Sequence, residues 1–318
     1  MTNTYMPEGA LLGTRENSEY ISSVEGLERA MNEGRILEGT VLLCDSRMRL
    51  HLDLGGVRGI IDREEAVWCR DGEQIKDIAV ITRVGKPVCF KVMRIAKEGE
   101  RYIAKLSRRQ AQLECMQNYL SRLRCGDILP AVVTHMENFG AFVDIGCGIS
   151  SLLSVDCISV SRISHPSDRF SVGEKIYAVV KLIDRDMQRI FVSMRELLGT
   201  WEENAAMFEA GQTVAGVVRS IESYGVFIEL APNLAGLAEI RENTRDAQIA
   251  TVGEYVAVYI KSIIPDRMKV KLVMIDSYKG TIPPKSIRYF ITPEKTRHLD
   301  YWRYSPEGDR KIIETVFS

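Results

Sequence analysis

The chain has 318 residues, 45% hydrophobic and 27% charged, with a formal net charge of −1; these are globular proportions, with room for two to four small domains. No apolar run approaches the about 20 residues of a membrane span, and the opening MTNTYMPEGALLG has neither the basic flank nor the apolar core of a secretory signal, so a cytoplasmic protein is expected. Near-neutrality also argues against a protein that grips nucleic acid through a uniformly basic surface. Cations would have to act locally, and residues 36–124 do hold 17 Lys and Arg against 12 Asp and Glu, whereas residues 125–195 hold 7 against 8.

After a polar start that reads as mobile, Ser22-Ser23-Val24-Glu25 predicts a capping box opening a short amphipathic helix that stops at Gly34. From Gly39 the texture changes to short runs of β-type residues broken by glycines. Strands are expected at Thr40–Cys44, Leu50–Leu54, Gly59–Ile61, Val88–Ile95 and Tyr102–Leu106, the rhythm of a small five-stranded barrel. Ser107-x-x-Gln110 then predicts a second helix start, with Leu113, Met116, Leu120 and Leu123 at helical spacing as its apolar stripe.

The strand rhythm returns at Leu129–Thr134, Ala141–Ile145, Ser151–Leu153, Lys175–Leu182 and Arg189–Ser193, followed by another Ser-x-x-Glu box at Ser193–Glu196. It returns again at Thr213–Arg219, Val226–Leu230, Gly236–Glu239, Tyr255–Ile263 and Lys269–Met274. The predicted organisation is an N-terminal segment 1–35, modules at 36–108, 125–196 and 211–275, linker helices at 109–124 and 197–210, and a C-terminal segment 276–318. That last segment is punctuated by Pro283, Pro284, Pro293 and Pro306 and rich in aromatics, with strands expected at Ile287–Ile291 and Ile312–Phe317.

The repeat is visible letter by letter. Gly126-Asp-Ile-Leu-x-Ala-Val-Val leads to Phe139-Gly140-Ala-Phe142-Val-Asp144, and 85 residues later Gly211-Gln-Thr-Val-x-Gly-Val-Val leads to Tyr224-Gly225-Val-Phe227-Ile-Glu229. In a regular strand residues 139 and 142 would face opposite sides; a bend or bulge at Gly140 is expected to bring both rings to one outer face. A Phe/Tyr exchange suits a surface where rings stack on flat partners, and nucleobases are such partners.

Other chemistries lack their residue patterns. The seven cysteines show no Cys-x-x-Cys spacing, which fits reduced thiols rather than a metal site, and no cofactor is implied. Gly55-Gly56-Val-Arg-Gly59 and Gly146-Cys-Gly148 lack the lysine and spacing of a phosphate cradle. His51, His135, His165 and His298 have no Glu or Cys at ligand spacing and read as structural or surface residues, while Asp184 and Asp186 read as a salt-linked turn rather than a hydrolytic centre.

On these residues, and on Val172-Gly-Glu-Lys175 with the ending Ile183 to Ser193, the middle module resembles the S1 RNA-binding domain family of bacterial small-subunit ribosomal proteins. The third module resembles it through Tyr224–Phe227, Leu234–Leu237, Val252–Glu254 and Lys269-Val270. The first resembles a divergent repeat through Gly39–Val41, Leu52–Gly55 and Gly59–Ile61, and the likeness runs over roughly residues 22–275. It implies a mainly β protein of three tandem OB-fold barrels that binds single-stranded RNA across an aromatic face.

Carried over by position, the resemblance implies stacking by Phe139 and Phe142, an acceptor at Asp184 and a donor at Arg189. Ser154 stands where the family often has a histidine. In the third module Tyr224, Phe227 and Lys269 are the equivalents, with Glu239 in the histidine place and Ile264 in the aspartate place. The first module puts Met48 and His51 near the platform and has no aromatic there, which suggests a protein-contact surface. Ser154, Lys181, Lys105, Arg108, Arg109, Arg122 and Arg124 are further candidate RNA contacts.

The expected function is messenger-RNA binding in translation, without enzymatic activity or a small-molecule substrate, with the first module docking on the 30S ribosomal subunit or one of its proteins. The alternatives are an OB-fold adaptor for protein partners, or an RNA-decay or transcription-associated regulator on the same fold.

Overall fold

Apolar alternation along short strands closes three barrels, each with its side chains packed inward. The computed structural model describes residues 5–70, 72–239, 251–278, 287–309 and 311–317. The first barrel holds β1 (Ile36–Cys44), β2 (Leu50–Leu54), β3 (Val57–Ile61), β4 (Pro87–Glu98) and β5 (Arg101–Ser107). The second holds β6 (Ile128–Glu137), β7 (Gly140–Asp144), β8 (Ser150–Ser154), β9 (Lys175–Asp184) and β10 (Arg189–Ser193). The third holds β11 (Thr213–Glu222), β12 (Gly225–Ala231), β13 (Leu234–Glu239), β14 (Tyr255–Ile264) and β15 (Lys269–Tyr278).

All three rings have one strand order. The first strand lies between the second and the fourth, and the third runs parallel to the fifth to close the barrel. This is the OB-type barrel, small enough for its own side chains to fill the interior. In the second barrel Leu129, Ala131, Val133, Ala141, Val143, Leu153, Ala178, Val180 and Val192 point inward and are buried, leaving the intervening residues to the outer face.

The chain divides into two compact units, one comprising Met1–Leu123, Pro130–Val132 and Asp144–Ser150, the other Arg124–Leu129, Val133–Val143 and Ser151–Ser318. In the first, the polar N-terminal stretch is held in place rather than loose. One carboxylate oxygen of the buried Glu38 on β1 accepts the backbone N–H groups of Gly9, Leu11 and Leu12 at 3.1, 2.9 and 3.0 Å. Helix α1 (Arg15–Ile21) follows, capped by Thr14, and then α2 (Val24–Glu33). The cap of α2 is Ser23, which accepts from Gly26 N–H, one residue beyond the expected Ser22; Gly34 ends the helix at φ 65°.

Helix α3 (Asp77–Ile81) sits between β3 and β4, and α4 (Arg108–Asn118) follows β5 with Ser107 accepting from Gln110 N–H at 2.9 Å. Of the expected stripe, Leu120 and Leu123 are buried but lie beyond the end of α4, while Leu113 and Met116 on the helix itself are only half-buried. Arg108, Ala111, Gln112 and Cys115 are buried instead, because polar contacts fix the helix: Gln112 accepts from Trp68 N–H and donates to the Cys147 carbonyl. A short 3-10 turn at Leu120–Arg122 replaces the last helical turns.

In the second unit the box at Ser193 does not open a helix. Ser193 Oγ donates to Glu196 at 2.5 Å within a 3-10 turn, and α5 (Trp201–Ala205) begins after Thr200, whose side chain forms the capping box with Glu203. The second and third barrels are tied by a buried ion pair in which Arg169 donates two hydrogen bonds, 2.8 and 2.6 Å, to Glu229, joined by Arg219 at 2.8 Å.

Residues 287–309 and 311–317 belong to this unit. Tyr304 donates to the Asn233 carbonyl at 2.6 Å, Asn233 donates to the carbonyls of Arg195 and Gly199, and Phe290 N–H bonds the Leu197 carbonyl. The strand expected at 287–291 is therefore absent, its amides being engaged with a loop; the hairpin that forms is β16 (Tyr301–Arg303) with β17 (Glu314–Val316). Pro283 and Pro284 lie outside the described residues. Among the described residues no helix is long and apolar enough to cross a membrane.

Candidate nucleic-acid interface

Phe139 sits in the two-residue turn Asn138-Phe139 between β6 and β7, and Tyr224 in the matching turn Ser223-Tyr224 between β11 and β12. The bend expected at Gly140 is not what brings the rings together. Phe139 lies outside the strand, free of its alternation, while Phe142 lies on the outward side of β7, so both reach one face. Gly140 answers a different need: a Cβ there would stand 2.5 Å from the Leu153 carbonyl oxygen, and at Gly225 one would stand 2.7 Å from that of Ala238. Both glycines let the neighbouring strand approach closely.

The two sites have one geometry. The Phe139 and Phe142 rings are 6.0 Å apart with planes at 88°, and Tyr224 and Phe227 are 6.2 Å apart at 89°. Phe139 is 56% and Tyr224 58% exposed, while Phe142 and Phe227 are half-buried and support them. In each pair an edge-on ring stands out from a seated one, at the spacing that aromatic pairs favour.

Sequence reading missed the rest of the surface. Phe191 on β10 lies opposite Leu152 on one side and Leu182 on the other, extending the apolar face from β7 across β8 and β10 to β9. The signal was available, since Phe191 and Arg189 are two apart on one strand and so share a face. The corresponding places in the third barrel are Lys271 and Ser262, with Leu237 matching Leu152. That platform is more polar, and Lys271 reaches Glu239 at 3.8 Å.

Arg189 faces Asp184 across the β9–β10 hairpin. Asp184 accepts from Met187 N–H at 2.8 Å, while Arg189 and Lys269 are exposed, with no ion-pair partner among the described residues. Ser154 hydrogen bonds Asp156, holding that carboxyl below the usual range, and Lys181 donates to Cys157 Sγ at 2.9 Å, so both are already engaged.

Arg108 is not presented at the surface. It is 2% exposed and donates to both carboxylate oxygens of Glu8, at 2.6 and 3.0 Å. Burial pushes the Glu8 carboxyl up, but Arg108 and the Cys89 N–H pull it down further, leaving it below the ordinary value. Arg109 is bound to Glu65 and Lys105 to Asp62, whereas Arg122 and Arg124 are exposed. In the first barrel His51 is buried between Asp45 and Arg58, and Met48 occupies a left-handed turn position at φ 60°, so no ring is displayed there.

The family model described as the S1 RNA binding domain matches residues 122–195. Those residues belong to the S1 domain family. The small ribosomal subunit protein bS1 of Staphylococcus epidermidis is 29% identical over 319 residues, covering 97% of this chain and 77% of that protein. The bS1 of Rhizobium meliloti is 26% identical over 277 residues, covering 83% and 47%, and that of Chlamydia muridarum 27% over 224 residues, covering 68% and 38%. The chain thus spans less than half the length of the last two. A solved multidomain protein with nucleic acid binding domains from Streptococcus pneumoniae overlaps at a TM-score of 0.25 and 14% identity, over 79% of this chain and 76% of that one, too loosely to bear on the fold.

Within the S1 domain Phe142 with the turn that carries Phe139, the Asp184–Arg189 hairpin and the apolar patch around Phe191 belong to strands that are neighbours in the barrel, β7, β8, β10 and β9. The third module repeats the S1 strand order and ring pair, and substitutes Lys271 and Glu239 for part of the apolar face.

Proposed function

We propose that this protein binds single-stranded RNA, messenger RNA in translation, through the outer faces of its second and third barrels, and that it acts at the small ribosomal subunit in the cytoplasm without catalysing a reaction. One observation carries the reading: the same perpendicular ring pair, with its outer member more than half exposed, occurs on both barrels. Exposed rings backed by a packed barrel stack on unpaired bases at about 1–3 kcal/mol per base. Arg189, Lys269, Arg122 and Arg124 are exposed and supply local cations, in keeping with a chain of net charge −1.

Titration of a fluorescent single-stranded oligoribonucleotide tests this. The quadruple variant Phe139→Ala, Phe142→Ala, Tyr224→Ala, Phe227→Ala should lose most of its affinity, and undiminished binding refutes the function.

The first barrel supports protein contact. It lacks rings at the platform and exposes Leu42, Leu43, Ile78 and Ile81, which fits docking on a ribosomal protein or another partner. Partners retained on the full chain after ribonuclease digestion would support that role, and loss of every partner on digestion would remove it.

A further inference from the structure

We propose that His135 is a third base-stacking residue of the second barrel, its ring on β6 taking the part that Ser154 leaves empty. The inference rests on the RNA-binding reading above and adds a residue to that site. Its ligand is a run of unpaired bases, because bases stacked within a duplex present no face to a side chain.

Strand register puts His135 on the platform. In the third barrel Ser220 on β11 is the direct cross-strand partner of Phe227, and the 85-residue repeat makes His135 the counterpart of Ser220 and Phe142 that of Phe227. Thr134 Oγ1 donates to the Phe142 carbonyl at 3.0 Å, which confirms that β6 and β7 are neighbours at this level. The imidazole lies 6.2 Å from the Phe142 ring with planes only 19° apart.

At this centroid separation, with planes nearly parallel, the two rings are offset rather than superposed, so much of the imidazole face is left for another ring. Its side chain is 62% exposed, and Glu137 holds Nε2 at 2.7 Å, which orients the ring. His135, Phe142 and Phe139 therefore form a chain of three rings at 6.2 and 6.0 Å, against a chain of two in the third barrel, where Ser220 offers no ring.

The test uses the full chain in a Tyr224→Ala, Phe227→Ala background, so that the second barrel is read by itself, and a fluorescein-labelled oligoadenylate of about a dozen nucleotides. His135→Ala should weaken binding about 5- to 150-fold, the worth of one stacked base, with an unchanged melting temperature because the side chain is exposed. His135→Phe should restore near-parental affinity, since it keeps a ring and loses the pairing with Glu137.

Unchanged affinity in His135→Ala, with Phe139→Ala still weakening binding, overturns the proposal and leaves the RNA-binding reading intact. Equal losses in His135→Phe and His135→Ala also overturn it, by making the contact one of charge or hydrogen bonding. If Phe139→Ala and His135→Ala both leave binding intact, the RNA-binding reading falls with it.

Discussion

Gly140→Ala separates two explanations of the glycine between the rings. Backbone freedom alone asks for no glycine here, because φ at this position is not in the left-handed region, and on that account alanine would be tolerated. Close approach predicts otherwise. The new methyl would stand 2.5 Å from Leu153 O and 2.8 Å from Ser154 Cα, where ordinary contact begins at 3.4 Å, so β8 must retreat by about 0.9 Å along the seam. Overpacking of this kind costs about 1–3 kcal/mol.

The same seam holds the turn that displays Phe139, whose carbonyl accepts Val155 N–H at 2.9 Å, so RNA affinity should fall together with stability. Urea unfolding followed by circular dichroism measures the first effect and oligoribonucleotide titration the second. Gly13→Ala is the control: its Cβ meets no atom within 4 Å and its φ is not left-handed, so it should be neutral or stabilise by up to about 1 kcal/mol. A Gly140→Ala protein as stable and as tight-binding as the parent would refute the close-approach explanation.

Three further outcomes follow from other sites. Arg108→Ala leaves the buried Glu8 carboxylate without its partner and should cost about 3–5 kcal/mol in urea unfolding, while the folded protein binds RNA as before; lost affinity at unchanged stability would return Arg108 to the RNA site. Burial pushes the Glu38 carboxyl from 4.5 up to about 7, so between those values the native state holds more protons than the unfolded chain. Stability should therefore decline as pH rises through that window, and Glu38→Gln should flatten part of the decline in paired melts at about pH 5 and pH 8. The remainder belongs to Asp144, which burial and the nearby Glu8 also raise to about 7. Glu239→Gln should release Lys271 to a phosphate, increasing the salt slope of RNA binding by about 0.7 for one added contact; an unchanged slope in a log–log salt titration counts against that role.

The barrels were legible because their cause is local. Alternation along short strands marks which side chains turn inward, and an 85-residue repeat announces that one solution was used again. The barrel strands read from sequence coincide with the observed ones except at the ends, where Val57 and Arg58 or Ser220 to Glu222 continue a ladder that no composition cue demands and Ile145 falls just past β7. Caps were legible only to a residue or so: two adjacent serines compete for α2, and Thr200 rather than Ser193 opens α5, because Ser193 Oγ is taken by Glu196.

What one strand presents to its neighbours was not legible. Arg108 and Arg109 are adjacent cations in the sequence, yet one is buried on Glu8, a hundred residues away, and the other is paired with Glu65. His51 and His135 look equally isolated in the chain; one is sealed between Asp45 and Arg58, the other stands exposed beside Phe142.

The sequence by itself determined three OB barrels, their order and the ring pairs on two of them, since periodicity and repetition are properties of neighbouring residues. Only the tertiary structure decided which cations face solvent, why the central glycine is needed and how far the apolar platform extends. Those depend on cross-strand register and on the distance of closest approach between backbones that the chain brings together from afar.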